Sequence, residues 1–382
     1  MSRSAASHVS RSKQHVSSTE STEEFDYDYV VIGSGFGGSV SAMRLAQKGY
    51  RVLVLEAGRR WEGRDFPKSN WNIFRFLWAP AAFCYGIMRM TLLRNVLIVS
   101  GSGVGGGSLV YANTLYVPKP SFFAHDTVRK MGGEKKLMPF YRLAERMLGV
   151  TPNPRLWEMD ELMRATAEEF GVGDSFTPTP VAVYFGKKND RSASGSEARA
   201  VGAMRTSDAA AIEAQPAVRD PYFDGEGPDR RPCNFCGGCM VGCRFNSKNT
   251  LDKNYLYFAE ELGAKILPET KAVGVRPIAT AEFADSARGT QGYIVDTKST
   301  TRWFGGRRSF RTKGVGFAAG VLGSVNLLLK LKAGGELPAL SEQLGRTVRT
   351  NSESIVGVTA KSKSADSSRG LAITSSVHLD DA

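Results

Sequence analysis

The sequence has few histidines and no long apolar run. The first shortage limits the candidates for a histidine base, and the second excludes a membrane-spanning segment. Four histidines occur among 382 residues, so there are few candidates for a histidine base. The longest apolar stretch, residues 76–88, is broken by Pro80 and Gly86 and falls short of the about 20 residues that cross a bilayer. No apolar segment follows the early arginines, which argues against a secretory signal. The sequence therefore predicts a cytoplasmic protein.

Composition and charge are those of a globular protein with a basic surface. The chain is 42% hydrophobic and 23% charged, with a net charge of +12, and its length suits two domains. The charge favours a solvated basic surface, which is compatible with peripheral contact at an anionic membrane. No nucleic-acid motif is present. Residues 1–25 are rich in Ser, Thr, Arg and Glu and predict a disordered tail.

A glycine fingerprint near the N-terminus is the most informative motif. Residues 29–32 form a short β-branched run that predicts a buried strand, and residues 33–38 read Gly-Ser-Gly-Phe-Gly-Gly. A helix over 39–48 and a second strand over 51–55 follow. This strand–helix–strand order predicts a dinucleotide-binding unit.

Each conspicuous residue of the fingerprint has an expected task. Gly33 allows a tight turn, Gly35 lets a pyrophosphate approach the backbone, and Gly38 lets the helix pack on the strand. Glu56 ends the second strand and can accept hydrogen bonds from the adenosine ribose. The fingerprint by itself does not separate FAD from NAD.

A second glycine loop covers residues 101–107, where five of seven residues are glycine, and it continues to Asn113. Such a loop must approach another group closely or adopt positive φ angles. The flanking segments are apolar, and residues 95–100 predict a strand. We therefore expect an ordered loop that contacts a long cofactor.

Four of the five cysteines lie within 11 residues, in the spacing C-x2-C-x2-C-x3-C: Cys233, Cys236, Cys239 and Cys243. This is the bacterial ferredoxin spacing, with Arg244 in the place of the usual proline. An iron–sulfur cluster and a cysteine-rich turn with free thiols or one disulfide both remain open. Structural zinc usually requires two separated cysteine pairs. Cys84 lies in an apolar stretch and is expected to be an ordinary buried residue.

The rest of the chain suggests how the domains are arranged. Residues 135–171 are mostly helical, with an apolar face expected in the core, and residues 186–230 form a long polar loop. Strands at 265–268, 272–275, 293–296 and 302–304 suggest an antiparallel layer, and a strand at 314–320 feeds a helix over 321–332. Apolar runs at 354–359 and 371–377 suggest the first strands of another sheet.

Together these motifs resemble the glucose–methanol–choline (GMC) flavoprotein oxidoreductases, and within them the cholesterol oxidase-like branch from actinobacteria. The resemblance covers about residues 26–378, and its motifs lie at 33–39, 55–58, 105–108, 233–250, 318–324 and 349–356.

The resemblance implies an α/β fold, with a Rossmann-like FAD-binding domain and an incomplete antiparallel substrate-domain sheet. It divides the chain into a tail (1–25), a first segment of the FAD domain (26–125), cap helices and loop (126–225), a Cys-rich segment (226–255), a second segment of the FAD domain (256–340) and the start of the substrate sheet (341–382). It implies FAD, held by Gly33, Gly35, Phe36, Gly37, Gly38, Glu56, Gly105, Gly106, Gly107, Ser108, Asn113, Ala319 and Gly320.

The implied reaction is oxidation of a secondary hydroxyl on an apolar alcohol, a 3β-hydroxysterol, with a hydride passing to flavin N5. Dioxygen or an electron-acceptor protein would reoxidise the flavin. An iron–sulfur-linked flavin dehydrogenase and a truncated, non-catalytic FAD-binding chain are the alternatives. In the family the base is a histidine near the C-terminus, partnered by Asn or His; we expect that region to lie beyond Ala382, so no catalytic residue is assigned. His8, His15, His125 and His378 do not match it.

Overall fold

The computed structural model describes residues 25–186, 216–278, 289–302, 304–351, 353–359 and 368–379. The predicted tail, apart from its last residue, and most of the predicted polar loop lie outside these ranges. The dinucleotide unit is confirmed as strand β1 (Tyr27–Ile32), helix α1 (Phe36–Gln47) and strand β2 (Val52–Leu55). Helix α1 begins three residues earlier than predicted, directly after Gly35, and Gly49 follows its end with a φ of 82°.

One six-stranded sheet organises the molecule, in the order β10-β2-β1-β13-β12-β11. Its later strands are β10 (Lys265–Leu267), β11 (Thr270–Pro277), β12 (Tyr293–Ser299) and β13 (Arg307–Phe317). Strands β10, β2, β1 and β13 are parallel, and β11, β12 and β13 are antiparallel to one another. The sheet thus joins the two predicted segments of the FAD domain.

Helices cover the sheet, and each strand alternates its side chains between two cores. Val31 and Val54 pack against α1 and helix α7 (Tyr255–Glu261), whereas Val30 and Leu53 belong to the core that contains Leu327 and Leu331. These two leucines belong to α8 (Gly320–Ala333). A parallel strand covered on both faces is apolar throughout, which explains the continuous apolar runs at β1 and β2.

The described part of the chain between β2 and α7 contributes no strand to this sheet. It contains helices α2 (Ile73–Phe76), α3 (Pro120–Ala124), α4 (Asp126–Lys130), α5 (Gly133–Leu148) and α6 (Glu158–Glu169). Short strands pair as β3 (Trp78–Ala79) with β4 (Cys84–Tyr85), β5 (Met88–Leu92) with β6 (Leu97–Gly101), β7 (Thr151–Pro152) with β9 (Pro180–Val181), and β8 (Thr177–Pro178) with β14 (Ser375–Ser376). The pairs β7–β9 and β8–β14 lie in the region predicted for the substrate domain.

Several sequence-based expectations were wrong. Residues 265–267 join the parallel sheet beside β2, because buried parallel and antiparallel strands have similar apolar patterns. The last strand of the antiparallel layer begins at Arg307 and not at Arg302. In helix α5, Phe140 is 64% exposed and only Leu148 is buried, so most of the predicted apolar face is not covered; of that face, Met147 packs on the core.

The expected strand over 354–359 is also absent: described residues 353–359 have no regular structure. Ile355 and Val358 are 95% and 94% exposed, and a strand is not stable without a partner that accepts its hydrogen bonds. The division into domains stays a prediction. None of the helices in the described ranges has both the length and the hydropathy that a membrane crossing requires.

The contact between β1 and α1 leads to a first prediction. A Cβ added at Gly38 would lie 1.9 Å from the carbonyl oxygen of Gly33, whereas a Cβ at Gly37 meets nothing within 4 Å. Gly38→Ala must push the helix away from the strand, and we expect it to lower the free energy of unfolding by about 3 kcal/mol or more. Urea unfolding followed by circular dichroism measures this change.

Gly37→Ala is the matched control, because it changes the adjacent helical glycine at an open position. It should leave stability unchanged or raise it by up to about 1 kcal/mol. Equal destabilisation by both variants would show that the contact at Gly38 is not what limits the packing.

Candidate cofactor site

The first glycine loop leads from β1 into α1 and leaves the start of the helix free of side-chain caps. Gly35 is the N-cap residue, and the first turn contains neither a capping side chain nor an acid. A Cβ at Gly35 or Gly37 would meet nothing within 4 Å. The unpaired N–H groups at a helix start attract anions, so the space beside this loop suits a pyrophosphate.

The second glycine loop packs directly on the first, backbone against backbone. A Cβ at Gly106 would lie 2.7 Å from the Cα of Gly35, and one at Gly58 would lie 2.3 Å from the nitrogen of Gly103. Gly105 and Gly106 have φ angles of 105° and 53°, which glycine adopts without strain. The structure therefore brings together the two loops that the sequence places about 70 residues apart.

Ser34 and Glu56 join the two loops through buried hydrogen bonds. The hydroxyl of Ser34 donates to Glu56 Oε2 at 2.6 Å and accepts from the N–H of Gly105 at 3.1 Å. The N–H of Ser34 also donates to Glu56 Oε2 at 3.2 Å, and the N–H of Gly58 donates to Oε1 at 2.8 Å. Glu56 thus organises the end of β2 and ties it to the first glycine loop.

The electrostatics of Glu56 follow from its burial. It is 7% exposed, and loss of water raises the pKa of its carboxyl, while the hydrogen bonds from Ser34 and Gly58 act in the opposite direction. A carboxylate has about four lone-pair positions, and the hydroxyl and N–H of Ser34 and the backbone of Gly58 and Gly103 supply four donors to Glu56.

The other predicted FAD contacts lie around the same loops. Ala319 caps α8 beside Gly33, since a Cβ at Gly33 would lie 2.8 Å from the Cα of Ala319. Gly320 and Gly107 border open space. The Phe36 ring packs edge-on against Tyr111, with centroids 5.7 Å apart.

Ser108 holds the second loop in place. Its hydroxyl donates to the carbonyl of Gly105 at 2.7 Å and accepts from the N–H of Leu251 at 3.1 Å. It is fully buried, so its role in the structure is to shape the loop.

Buried polar atoms without a protein partner collect beside the second loop. Asn113 is fully buried with a φ of 70° and its amide lies beside the thiol of Cys239, while its amide oxygen has no hydrogen-bond partner within the described stretches of the chain. The same holds for the hydroxyl of Tyr111 and for Asp252 Oδ1, which faces Gly105. An unpaired buried polar atom costs about 1–3 kcal/mol. Buried donors and acceptors without partners thus lie around the two glycine loops, which together we call the glycine cradle. They fit a polar cofactor.

The four clustered cysteines line one small pocket, together with Asn113 and Lys248. All four are free thiols, and Cys236 is exposed. Burial raises the pKa of Cys233, Cys236 and Cys239. In the described ranges, no group of three or more His, Cys, Asp or Glu side chains could hold a metal ion.

Lys248 is a functional candidate that the sequence analysis missed. Its Nζ donates to the carbonyls of Leu109, Tyr111 and Cys239 at 3.2, 2.8 and 3.1 Å. Burial lowers its pKa to about 7, but three carbonyl acceptors require three N–H donors, so we assign the ammonium form. Lys248 thereby ties the cysteine segment to the second glycine loop. A single lysine in a polar stretch gives no sequence signal, and neither does Ser34.

The described histidines lie elsewhere. His125 is exposed and caps helix α4 by accepting from the N–H of Thr127 at 3.3 Å. The His378 ring packs edge-on against Tyr116. His8 and His15 lie outside the described residues.

The Ser34 bridge supplies a second prediction. Ser34→Ala removes the donor to Glu56 and the acceptor for Gly105, both buried, and should lower the free energy of unfolding by about 1–3 kcal/mol. Ser41→Ala is the control, because its exposed hydroxyl bonds only to the carbonyl of Gly37, and it should change stability by about 0.5 kcal/mol or less. Chemical denaturation of both variants decides whether the bridge between the loops is structural.

Comparison with known proteins agrees with this geometry. A family model described as an NAD(P)-binding Rossmann-like domain matches residues 31–86. The chain is 46% identical to a cholesterol oxidase of Acinetobacter baumannii over 93% of its length and 60% of the relative's. It is also 46% identical to a cholesterol oxidase of Mycobacterium tuberculosis, over 92% of its length and 56% of the relative's.

Among solved structures, a FAD-dependent oxidoreductase from Chaetomium thermophilum is similar over 81% of this chain and 49% of its own, with a TM-score of 0.48 and 14% identity. The chain spans about 60% or less of the length of the two cholesterol oxidases. The chain is thus similar to cholesterol oxidases over about nine-tenths of its length, and its paired glycine loops include the Rossmann-like segment that the family model matches.

Proposed function

We propose that this chain binds FAD between its two glycine loops and serves the oxidation of a secondary hydroxyl on an apolar alcohol. The observation that carries the proposal is the packing of Gly106 on Gly35 beside an uncapped helix start, with Glu56 at the end of β2. The family relationship favours FAD over NAD for this cradle.

Each element of the cradle would have a distinct task. The N–H groups after Gly35 would hold the pyrophosphate, because they are unpaired and lie at the positive end of the α1 dipole. Glu56 would accept from a ribose hydroxyl at the end of β2. Asn113 and the Tyr111 hydroxyl would gain the partners that they lack in the protein. When bound, FAD supplies the acceptor for a hydride from the carbon that carries the hydroxyl.

The substrate class rests on the relatives. Both cholesterol oxidases align with nearly the whole chain at 46% identity, and this favours a 3β-hydroxysterol as substrate and dioxygen as acceptor. A long-chain-alcohol oxidase of Arabidopsis thaliana is 28% identical over 64% of the chain, so long primary alcohols are the competing substrate class.

A second candidate function is FAD binding without turnover by this chain alone. It is favoured by the placement of the histidines: His125 caps an exposed helix and His378 packs on Tyr116, and no hydrogen bond joins either to the glycine loops. A base for the hydroxyl proton is therefore not found among the described residues at the cradle.

The function is tested by adding FAD to the purified chain and recording its visible spectrum before and after anaerobic addition of alcohols. Bleaching by a 3β-hydroxysterol, but not by its 3α epimer, supports sterol oxidation. Bleaching by long primary alcohols alone would reassign the substrate class. Bound flavin that no alcohol bleaches supports the second candidate, and failure to bind FAD contradicts both.

Glu56→Gln gives a third prediction. Both carboxylate oxygens accept from N–H groups, so the amide nitrogen of glutamine must face a donor in either orientation. We expect at least about tenfold weaker FAD binding, because a cofactor contact worth about 1.4 kcal/mol is lost. Titration by flavin fluorescence measures the dissociation constant.

Glu62→Gln is the control, since Glu62 is exposed and lies near Glu56 in sequence, and it should bind FAD as the unchanged chain does. Equal affinity of the Glu56 and Glu62 variants would remove Glu56 from the ribose site.

A further inference from the structure

The antiparallel layer formed by β11, β12 and β13 has one apolar face and one strongly basic face. Val275 and Val295 lie directly opposite each other and belong to the core that contains Leu327. Residues directly opposite share a face, and successive residues along a strand alternate between faces. The other face of the layer therefore carries five cations and one carboxylate, and we call it the basic face: Lys271, Arg276, Lys298, Arg307, Arg311 and Asp296.

Three of these cations form a row of like charges across the three strands. Lys271 pairs with Lys298 in the register of the sheet, and Lys298 pairs with Arg307. None of the three has a carboxylate partner within the described part of the chain, since Asp296 is paired with Arg276 at 2.6 Å. Like charges directly opposite each other destabilise a sheet, so the row lowers stability unless an anion lies over it.

Protection of a sheet edge explains only part of this row. Strand β11 is the last strand of the sheet, and a lysine on an edge strand discourages aggregation. Lys298 and Arg307, however, lie on β12 and β13, each of which is paired on both sides. Their placement therefore points to a negatively charged surface outside the chain.

Further cations approach the row from neighbouring elements. Burial lowers the pKa of Lys271, and so do the positive charges of Arg89, Lys298 and Lys330. Arg89 belongs to β5, and Lys330 belongs to α8. The carboxylate of Glu336 also reaches β11, where it accepts from a backbone N–H at 3.3 Å. Positive charge thus concentrates where β5, β11 and β12 meet.

Exposed apolar side chains lie beside the basic face. Phe304 is 93% exposed in the turn between β12 and β13, next to the last pair of that ladder, Lys298 and Arg307. The neighbouring β5–β6 hairpin exposes Leu92 by 79% and Leu97 by 49%. A membrane surface binds such a mixture, because anionic head groups attract the cations while apolar side chains enter the acyl boundary. A soluble polyanion would leave the apolar side chains in water.

The turn that contains Phe304 is attached at the same end of the sheet as the glycine cradle. The hydroxyl of Thr300 donates to the carbonyl of Ala57 at 2.7 Å, and its N–H donates to the carbonyl of Glu269 at 2.9 Å. The N–H of Glu269 in turn donates to the carbonyl of Gly58 at 2.9 Å, and Gly58 packs on the second glycine loop. A surface docked at this turn would therefore lie close to the cradle.

We propose that the basic face, together with Phe304 and the β5–β6 hairpin, docks the protein on a membrane surface that contains anionic lipids. The docking itself does not depend on FAD. Its consequence, access of the cradle to an apolar alcohol dissolved in the bilayer, rests on the proposed function. Vesicle binding is measured without turnover, so the two proposals can fail separately.

The test is co-sedimentation of the purified chain with phosphatidylcholine vesicles, with or without about one third phosphatidylglycerol. We expect binding to the anionic vesicles only, and weaker binding as salt is raised. Each basic residue near an anionic surface contributes about fivefold, so Lys298→Gln with Arg307→Gln should weaken binding about 25-fold. Phe304→Ala should also weaken binding, and its effect should not shrink as salt is raised, because salt screens charges and not apolar contacts.

Lys135→Gln with Lys136→Gln is the matched control, because it removes the same charge from exposed positions on helix α5. It should bind the vesicles as the unchanged chain does, and thermal unfolding followed by circular dichroism shows that each variant folds. Equal binding to neutral and anionic vesicles, or equal loss in the two double variants, would overturn the proposal. Binding to heparin but not to vesicles would assign the basic face to a soluble polyanion instead.

Discussion

The structure depends on the close approach of two glycine loops that are far apart in sequence. Gly106 lies on Gly35 of the first loop, and Gly103 lies on Gly58, which follows β2, at distances that leave no room for a Cβ. Such contacts give little apolar burial, so they require other interactions to hold them. Ser34 provides these by bonding to Glu56 and Gly105 at the same time. The parallel sheet, the first loop and the second loop are therefore one unit.

This unit extends to the cysteine segment through buried polar contacts. Ser108 accepts from the N–H of Leu251, and Lys248 bonds to the carbonyls of Leu109 and Tyr111. On its far side the segment contacts residues 368–372, where the N–H of Gly370 donates to Phe235. Buried polar networks are costly when they are only partly satisfied. A change in the cysteine segment should therefore alter the geometry of the second glycine loop.

The sequence predicted those elements of the fold that rest on local patterns. Strands β1 and β2 and helix α1 were found near their expected positions, because apolar runs and turn-forming glycines determine structure through residues that are close in sequence. The placement of Lys265–Leu267 beside β2 depended on a distant partner and was missed. The exposed Phe140 and Ile355 show the same limit: an apolar pattern predicts a face that needs covering, and does not say what covers it.

The residues of the candidate site also divide into those that the sequence predicted and those that it did not. The positions of the glycines and Glu56 were predictable because the strand–helix–strand unit fixes their spacing, and four cysteines in 11 residues are conspicuous in any sequence. Ser34 and Lys248 were not, because serine and lysine are common and their roles arise only when separate loops meet. Lys248 illustrates why: its partners are carbonyl groups of Leu109, Tyr111 and Cys239, and every residue type carries a carbonyl. A hydrogen bond to a backbone carbonyl does not restrict the residue type of its partner, so only the folded chain shows that the second glycine loop and the cysteine segment are in contact.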